Sequence, residues 1–140
     1  MRNKLSSYFE WDPARLSLQI REMDDEHQVL IGMMNELHTA HGRSAPIGQQ
    51  LRELDALVAY TRKHFADEEV YMERIAFPGL RIHKGVHKQL LEKLAAFQQG
   101  CRANQKLPND LFVFFKMWLS AHICGIDMKY AQHARTAKSA

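Results

Sequence analysis

What the chain has little of sets the first limits. It has two cysteines in 140 residues, Cys101 and Cys124. Two thiols make a disulfide framework unfavoured and suit a reducing compartment. Glycine and proline number seven and four, so helix breakers are scarce and long helices are favoured. Aromatic residues make up 9%, and Phe112, Phe114 and Phe115 read as packing groups, not as a base-stacking platform. No run of about 18 apolar residues occurs, which argues against a membrane span. The first eight residues, Met1 to Tyr8, contain no apolar h-region, so no signal peptide is expected and the cytoplasm is the expected location. Charge of one sign is not concentrated either. The net charge is +3, and the scattered Lys and Arg residues read as a solvated surface with no nucleic-acid partner. What remains, 46% hydrophobic and 25% charged residues, is the balance of an ordinary globular chain of one domain, residues 1–140.

Breakers cluster at three places: Gly42 to Gly48, Phe77-Pro78-Gly79, and Asn104 to Asn109. They leave an N-terminal arm over 1–19 and four helical segments at about 20–41, 49–75, 80–102 and 109–132. Apolar residues recur every three or four positions in each segment, as in Ile20, Met23, His27, Leu30, Met34 and Leu37. The fold class expected is all-α. Helices of matched length on short connections pack as an antiparallel up-down-up-down four-helix bundle.

The inward stripes are not clean. His27, His64, Glu68, His83, His87 and His122 all fall on them, and eight histidines are many for this length. One buried histidine is ordinarily a hydrogen-bonded core residue. Six ionisable groups on four converging helices would each cost several kcal/mol of desolvation without partners. A metal accepts several imidazole nitrogens at once. His64 and Glu68, like His83 and His87, are i,i+4 pairs that share one helix face. With Asp127, the set holds five imidazoles and two carboxylates. That is too many for one ion with open chemistry and suits two ions bridged by the carboxylates. The ligand types favour iron, with manganese and zinc also open. Neither Glu-x-x-His nor His-Glu-x-x-His occurs. A histidine-rich, carboxylate-poor site leans toward reversible ligand binding and away from oxygenase chemistry.

Several elements occur together in order: Trp11, Asp24-x-x-His27, His64-Phe65-x-x-Glu68-Glu69, Met72, Phe77-Pro78, His83-x-x-x-His87, and Trp118-Leu-x-x-His122-Ile-x-x-x-Asp127. The set resembles the hemerythrin family, of the single-domain bacterial type. The resemblance implies a non-haem di-iron centre, two iron ions (Fe2+/Fe3+) with an oxo or hydroxo bridge, that binds O2 reversibly. It further implies that His83, His87 and His122 hold one iron. His27 and His64 would hold the other, and Glu68 and Asp127 would bridge the two. Leu30, Phe65, Trp118, Leu119 and Ile123 are expected to wall the O2 pocket with apolar surface.

The expected function is that of an oxygen carrier, store or sensor, with O2 as partner and no enzymatic activity. Alternatives are signalling through a separate protein, nitric oxide or peroxide detoxification, and iron repair. No exposed apolar stripe is evident, and the chain is expected to be monomeric. His38 and His41 read as cationic groups at a helix C-terminus, His133 as a solvated residue of a frayed tail, and Cys101 and Cys124 as small core groups. His122 and Asp127 are five residues apart, so an α-helix would splay them by about 140°. Either the helix stays regular and the two side chains reach around its flanks, or it widens into a π-type distortion over 122–127, which is the expected outcome, with Gly125 giving the backbone room.

Overall fold

A computed structural model describes residues 7–139. The described residues form a short helix α1 (Pro13–Leu16) and three long helices, α2 (Arg21–Gly42), α3 (Ile47–Arg74) and α4 (Leu80–Asn104). A last continuous rod follows, built of α5 (Asn109–Ala121), a π turn (His122–Asp127) and α6 (Met128–Ser139). Among these residues there is no strand. Neighbours in sequence are neighbours in space: α2 packs on α3, α3 on α4, and α5 returns to α2. Leu30, Leu37, Leu54, Leu57, Leu94, Leu111 and Phe115 fill the centre, each at most 1% exposed.

The arm is built into this core. Asp12 caps α1 through the Ala14 amide at 3.2 Å, ahead of Pro13 in the first turn. Phe9, Leu16 and Leu18 are buried. The Asn35 side chain pairs with both backbone groups of Phe9, at 2.9 and 2.8 Å. Asp24 accepts from the Leu18 amide at 2.8 Å and from the Ser17 hydroxyl at 2.6 Å. The arm is therefore fastened to α2, the helix that carries His27.

The segments expected from sequence are found, with shifted ends. The second long helix begins at Ile47, not 49, and the last rod continues through 139, not 132. His133 is consequently no tail residue. It sits on a helix that packs back on α3 and donates to the Ile75 carbonyl at 3.0 Å, taking Nε2 as protonated. Chain reversals use left-handed backbone at Ser44 (φ 56°), Ala76 (φ 54°) and Gln105 (φ 52°), where glycine is usual. In the Phe77-Pro78-Gly79 turn glycine has a steric reason, because a Cβ at Gly79 would lie 2.7 Å from the Phe77 ring.

Residues Asn109–Thr136 are long and apolar enough to cross a membrane by length and composition, contrary to the sequence expectation. The inner face of this rod carries buried His122 and Asp127, as befits a bundle helix. Its outer face is also unexpected. Val113 and Met117 are 49% and 66% exposed, so an apolar stripe does reach the surface.

Candidate metal centre

The π turn spans the two residues whose spacing called for it, from His122 to Asp127. One extra residue per turn returns positions i and i+5 to the same face. Both side chains then enter the bundle, 4% and 0% exposed. The other five site residues need no such device. His27 lies on α2, His64 and Glu68 stack on α3, and His83 and His87 stack on α4. All five are buried, at most 3% exposed.

The seven side chains form two groups that share their carboxylates. Glu68, His83, His87, His122 and Asp127 bring ligand atoms within 4.8 Å of one another, as do His27, His64, Glu68 and Asp127. Each carboxylate divides its oxygens between the groups. Glu68 Oε1 lies 3.0 Å from His87 Nε2, 3.6 Å from His83 Nε2 and 4.0 Å from His122 Nε2. Glu68 Oε2 lies 3.3 Å from His64 Nε2 and 3.5 Å from His27 Nε2. Asp127 Oδ1 is 3.0 Å from His122 and 3.1 Å from His83, while Oδ2 is 3.2 Å from His27.

A metal pair fits this donor set on a specific observation. The Nε2 atoms of His64, His83, His87 and His122, with Glu68 Oε1 and both Asp127 oxygens, are buried without any hydrogen-bond partner. Orphaned polar atoms are rare in native interiors. Seven that converge at two points have the valences that two cations would satisfy.

Further residues hold the donors in place. The Glu26 carboxylate sits 2.7 Å from His64 Nδ1, and the Glu69 carboxylate 2.8 Å from His87 Nδ1. Each fixes its ring with Nε2 turned inward. Tyr130, fully buried, donates its hydroxyl to Glu68 Oε2 at 2.7 Å. Sequence reasoning gave Glu26, Glu69 and Tyr130 no role. Their partners lie 38, 18 and 62 residues away, so no local spacing signals them.

The five expected wall residues are all buried, and two touch the imidazoles directly. Phe65 stacks on His87 at 3.8 Å between ring centroids, and Trp118 lies edge-on to His122 at 5.8 Å. Ile123 follows His122 within the π turn, and Leu30 and Leu119 belong to the same buried core. The residues set aside in the sequence behave less simply than expected. His38 stacks on Tyr8 at 4.0 Å. Burial, with the nearby His41 and Lys116 charges, pushes its pKa down, so it is not a cationic cap. His41 Nδ1 lies 3.1 Å from the Gln50 side-chain oxygen. Cys101 is buried as expected, whereas Cys124 is half-exposed and points its thiol at the Arg15 carbonyl, 3.5 Å away.

Without metal the cluster is an array of ion pairs. Burial disfavours the charged ring of His64, but the nearby Glu68 charge and the Glu26 hydrogen bond outweigh it and lift the pKa to about 10. His83 rises to about 9, where Asp127 and Glu68 overcome burial. Glu68 and Asp127 are held well below the usual carboxylate range, because the surrounding imidazoles outweigh their burial. Raised imidazole pKa values mean that His64 and His83 keep both ring protons at pH 7. A metal needs the lone pair on each Nε2, so loading at pH 7 should release at least two protons. Apparent affinity should then rise by about 100-fold per pH unit below pH 9. Calorimetric titration in two buffers of different ionisation enthalpy measures the release. Less than one proton would show that the rings are already neutral.

The comparisons agree with this geometry. The family model for the hemerythrin HHE cation binding domain matches residues 18–134. A bacteriohemerythrin of Stenotrophomonas maltophilia is 32% identical over 122 residues, covering 86% of this chain and 78% of that protein. The myohemerythrin of Riftia pachyptila is 29% identical over 130 residues, covering 93% and 97%. The crystal structure of a wild-type hemerythrin superposes with a TM-score of 0.85 at 26% identity, covering 91% of this chain and 98% of that one. A matched model across the whole bundle, with relatives above 30% identity over most of its length, establishes that this chain belongs to the hemerythrin family.

Proposed function

We propose that this chain binds O2 reversibly at a di-iron centre, as an oxygen carrier, store or sensor and not as an enzyme, within one domain spanning residues 1–140. His83, His87 and His122 hold one iron, His27 and His64 hold the other, and Glu68 and Asp127 bridge them. The observation that carries this reading is the division of each carboxylate between the groups: Glu68 sets one oxygen toward three imidazoles and the other toward two, and Asp127 sets one toward two and the other toward one. The group with fewer imidazoles is the one with a coordination position to spare. When bound, the irons supply the redox chemistry by which O2 is held and given back. With both cysteines free, the cytoplasm is the compartment we assign.

The chain's own residues supply the rest. Glu26 and Glu69 orient His64 and His87 from behind, and Tyr130 fixes the Glu68 oxygen that faces His27 and His64. Leu30, Phe65, Trp118, Leu119 and Ile123 keep water and adventitious protons from the pocket. The test is metal analysis followed by anaerobic reduction and O2 titration. Two irons per chain and a spectrum that reverses under argon are expected. One iron, stoichiometric zinc after growth with adequate iron, or rapid consumption of nitric oxide or peroxide without a stable oxygenated form would overturn the proposal. His64→Ala removes half of the imidazoles from the two-histidine group. It should keep one tightly held metal and lose O2 binding altogether. A reversible adduct in that variant would show that the ligands are divided differently.

A further inference from the structure

We propose that the outer face of the last rod is a self-complementary surface on which two copies of this chain pair antiparallel. Asp110, Val113, Met117, Ala121, Gly125 and Lys129 are all exposed and follow one another at intervals of three or four, so they form one stripe. Val113 and Met117 are the large apolar side chains that the rod leaves exposed, 49% and 66%. Asp110 marks one end of the stripe and Lys129 the other, with an apolar centre between them.

This order is what an isologous contact requires. With the two-fold axis between Met117 and Ala121, Met117 of each copy meets Ala121 of the other. Val113 then meets Gly125, and Asp110 meets Lys129. Large side chains oppose small ones, and opposite charges oppose each other at both ends. A parallel pairing would set like charges together. Gly125 leaves room for Val113 of the second copy, since no atom of its own chain lies within 4 Å of where a Cβ would stand. The stripe runs about 28 Å, a contact at the small end of specific interfaces, so association in the micromolar range is expected.

The test is sedimentation of the iron-loaded full chain from micromolar to millimolar concentration. The native chain should dimerise. Met117→Glu, at an exposed position where folding is not at stake, should weaken the dimer by about 100-fold, because a charge would be buried against Ala121. Asp110→Lys should weaken it by about 10-fold, and adding Lys129→Asp should restore it, since the swapped pair is again complementary. Iron content and helical signal, measured alongside, should match the native chain in every variant. A chain that stays monomeric at millimolar concentration overturns the proposal. So does a dimer indifferent to Met117→Glu, or a charge reversal that its partner substitution does not rescue.

Discussion

Glu68→Ala should strip the protein of both irons. Glu68 is one of two side chains that belong to both histidine groups. Removing it takes an oxygen from each group and leaves five imidazoles to share the negative charge of Asp127 alone. The loss reaches further, because the buried Tyr130 hydroxyl donates to Glu68 and would be left without its acceptor, at a cost of about 1–3 kcal/mol. Iron content should fall from two per chain to near zero, and helical content should fall with it at physiological temperature. Glu68→Gln separates the two effects. It keeps an oxygen for Tyr130 but loses the charge, so the fold should be better retained while less than one iron is held. Iron analysis alongside circular dichroism checks both variants. A Glu68→Ala protein that retains two irons would mean that Glu68 bridges nothing.

Removal of iron from the native chain should lower the melting temperature by about 15–20 °C. The metal-free protein must bury five imidazoles and two carboxylates, seven of whose inward atoms lack hydrogen bonds. Binding to the native state alone adds RT ln(1 + [L]/Kd), about 4 kcal/mol when free metal exceeds Kd a thousandfold. For a chain of this size each kcal/mol moves the midpoint by about 3–6 °C. Scanning calorimetry of chelated and reconstituted protein measures the difference. Equal midpoints would show that the cluster contributes no metal-linked stability. A restored midpoint with zinc in place of iron would show that the cation's charge, not its redox chemistry, holds the helices together.

The bundle and the convergence of the seven buried side chains were legible because they rest on short-range regularities. Helical periodicity located the four segments, and i,i+4 spacing put His64 over Glu68 and His83 over His87. The irregular spacing of His122 and Asp127 was informative too, since it left a distorted helix or two side chains reaching around a regular one, and a π turn is found there. Glu26 and Tyr130 were not legible, because their roles depend on which helices become neighbours. The helix ends drifted for a related reason. Ser44, Ala76 and Gln105 take the left-handed conformations that close the turns, and none is the glycine that would have marked the spot. The outer stripe of the last rod was hidden by the same periodicity that revealed the core. An apolar residue at Val113 or Met117 reads as interior until the packing shows which way the helix faces.

The way the site is spread along the chain also dictates the order of its assembly. His27 and Asp127 approach to 3.2 Å, yet they come from α2 and the last rod. As the chain leaves the ribosome, α2, α3 and α4 emerge first and carry five of the seven ligands. The last two arrive together on the π turn, so neither histidine group is complete until the final rod has docked. A metal pair held by all seven side chains therefore has to wait until the last rod has docked. Any earlier capture would trap a cation in a half-built, solvent-open pocket made of His27, His64, Glu68, His83 and His87. The π turn therefore closes the centre as well as shaping it.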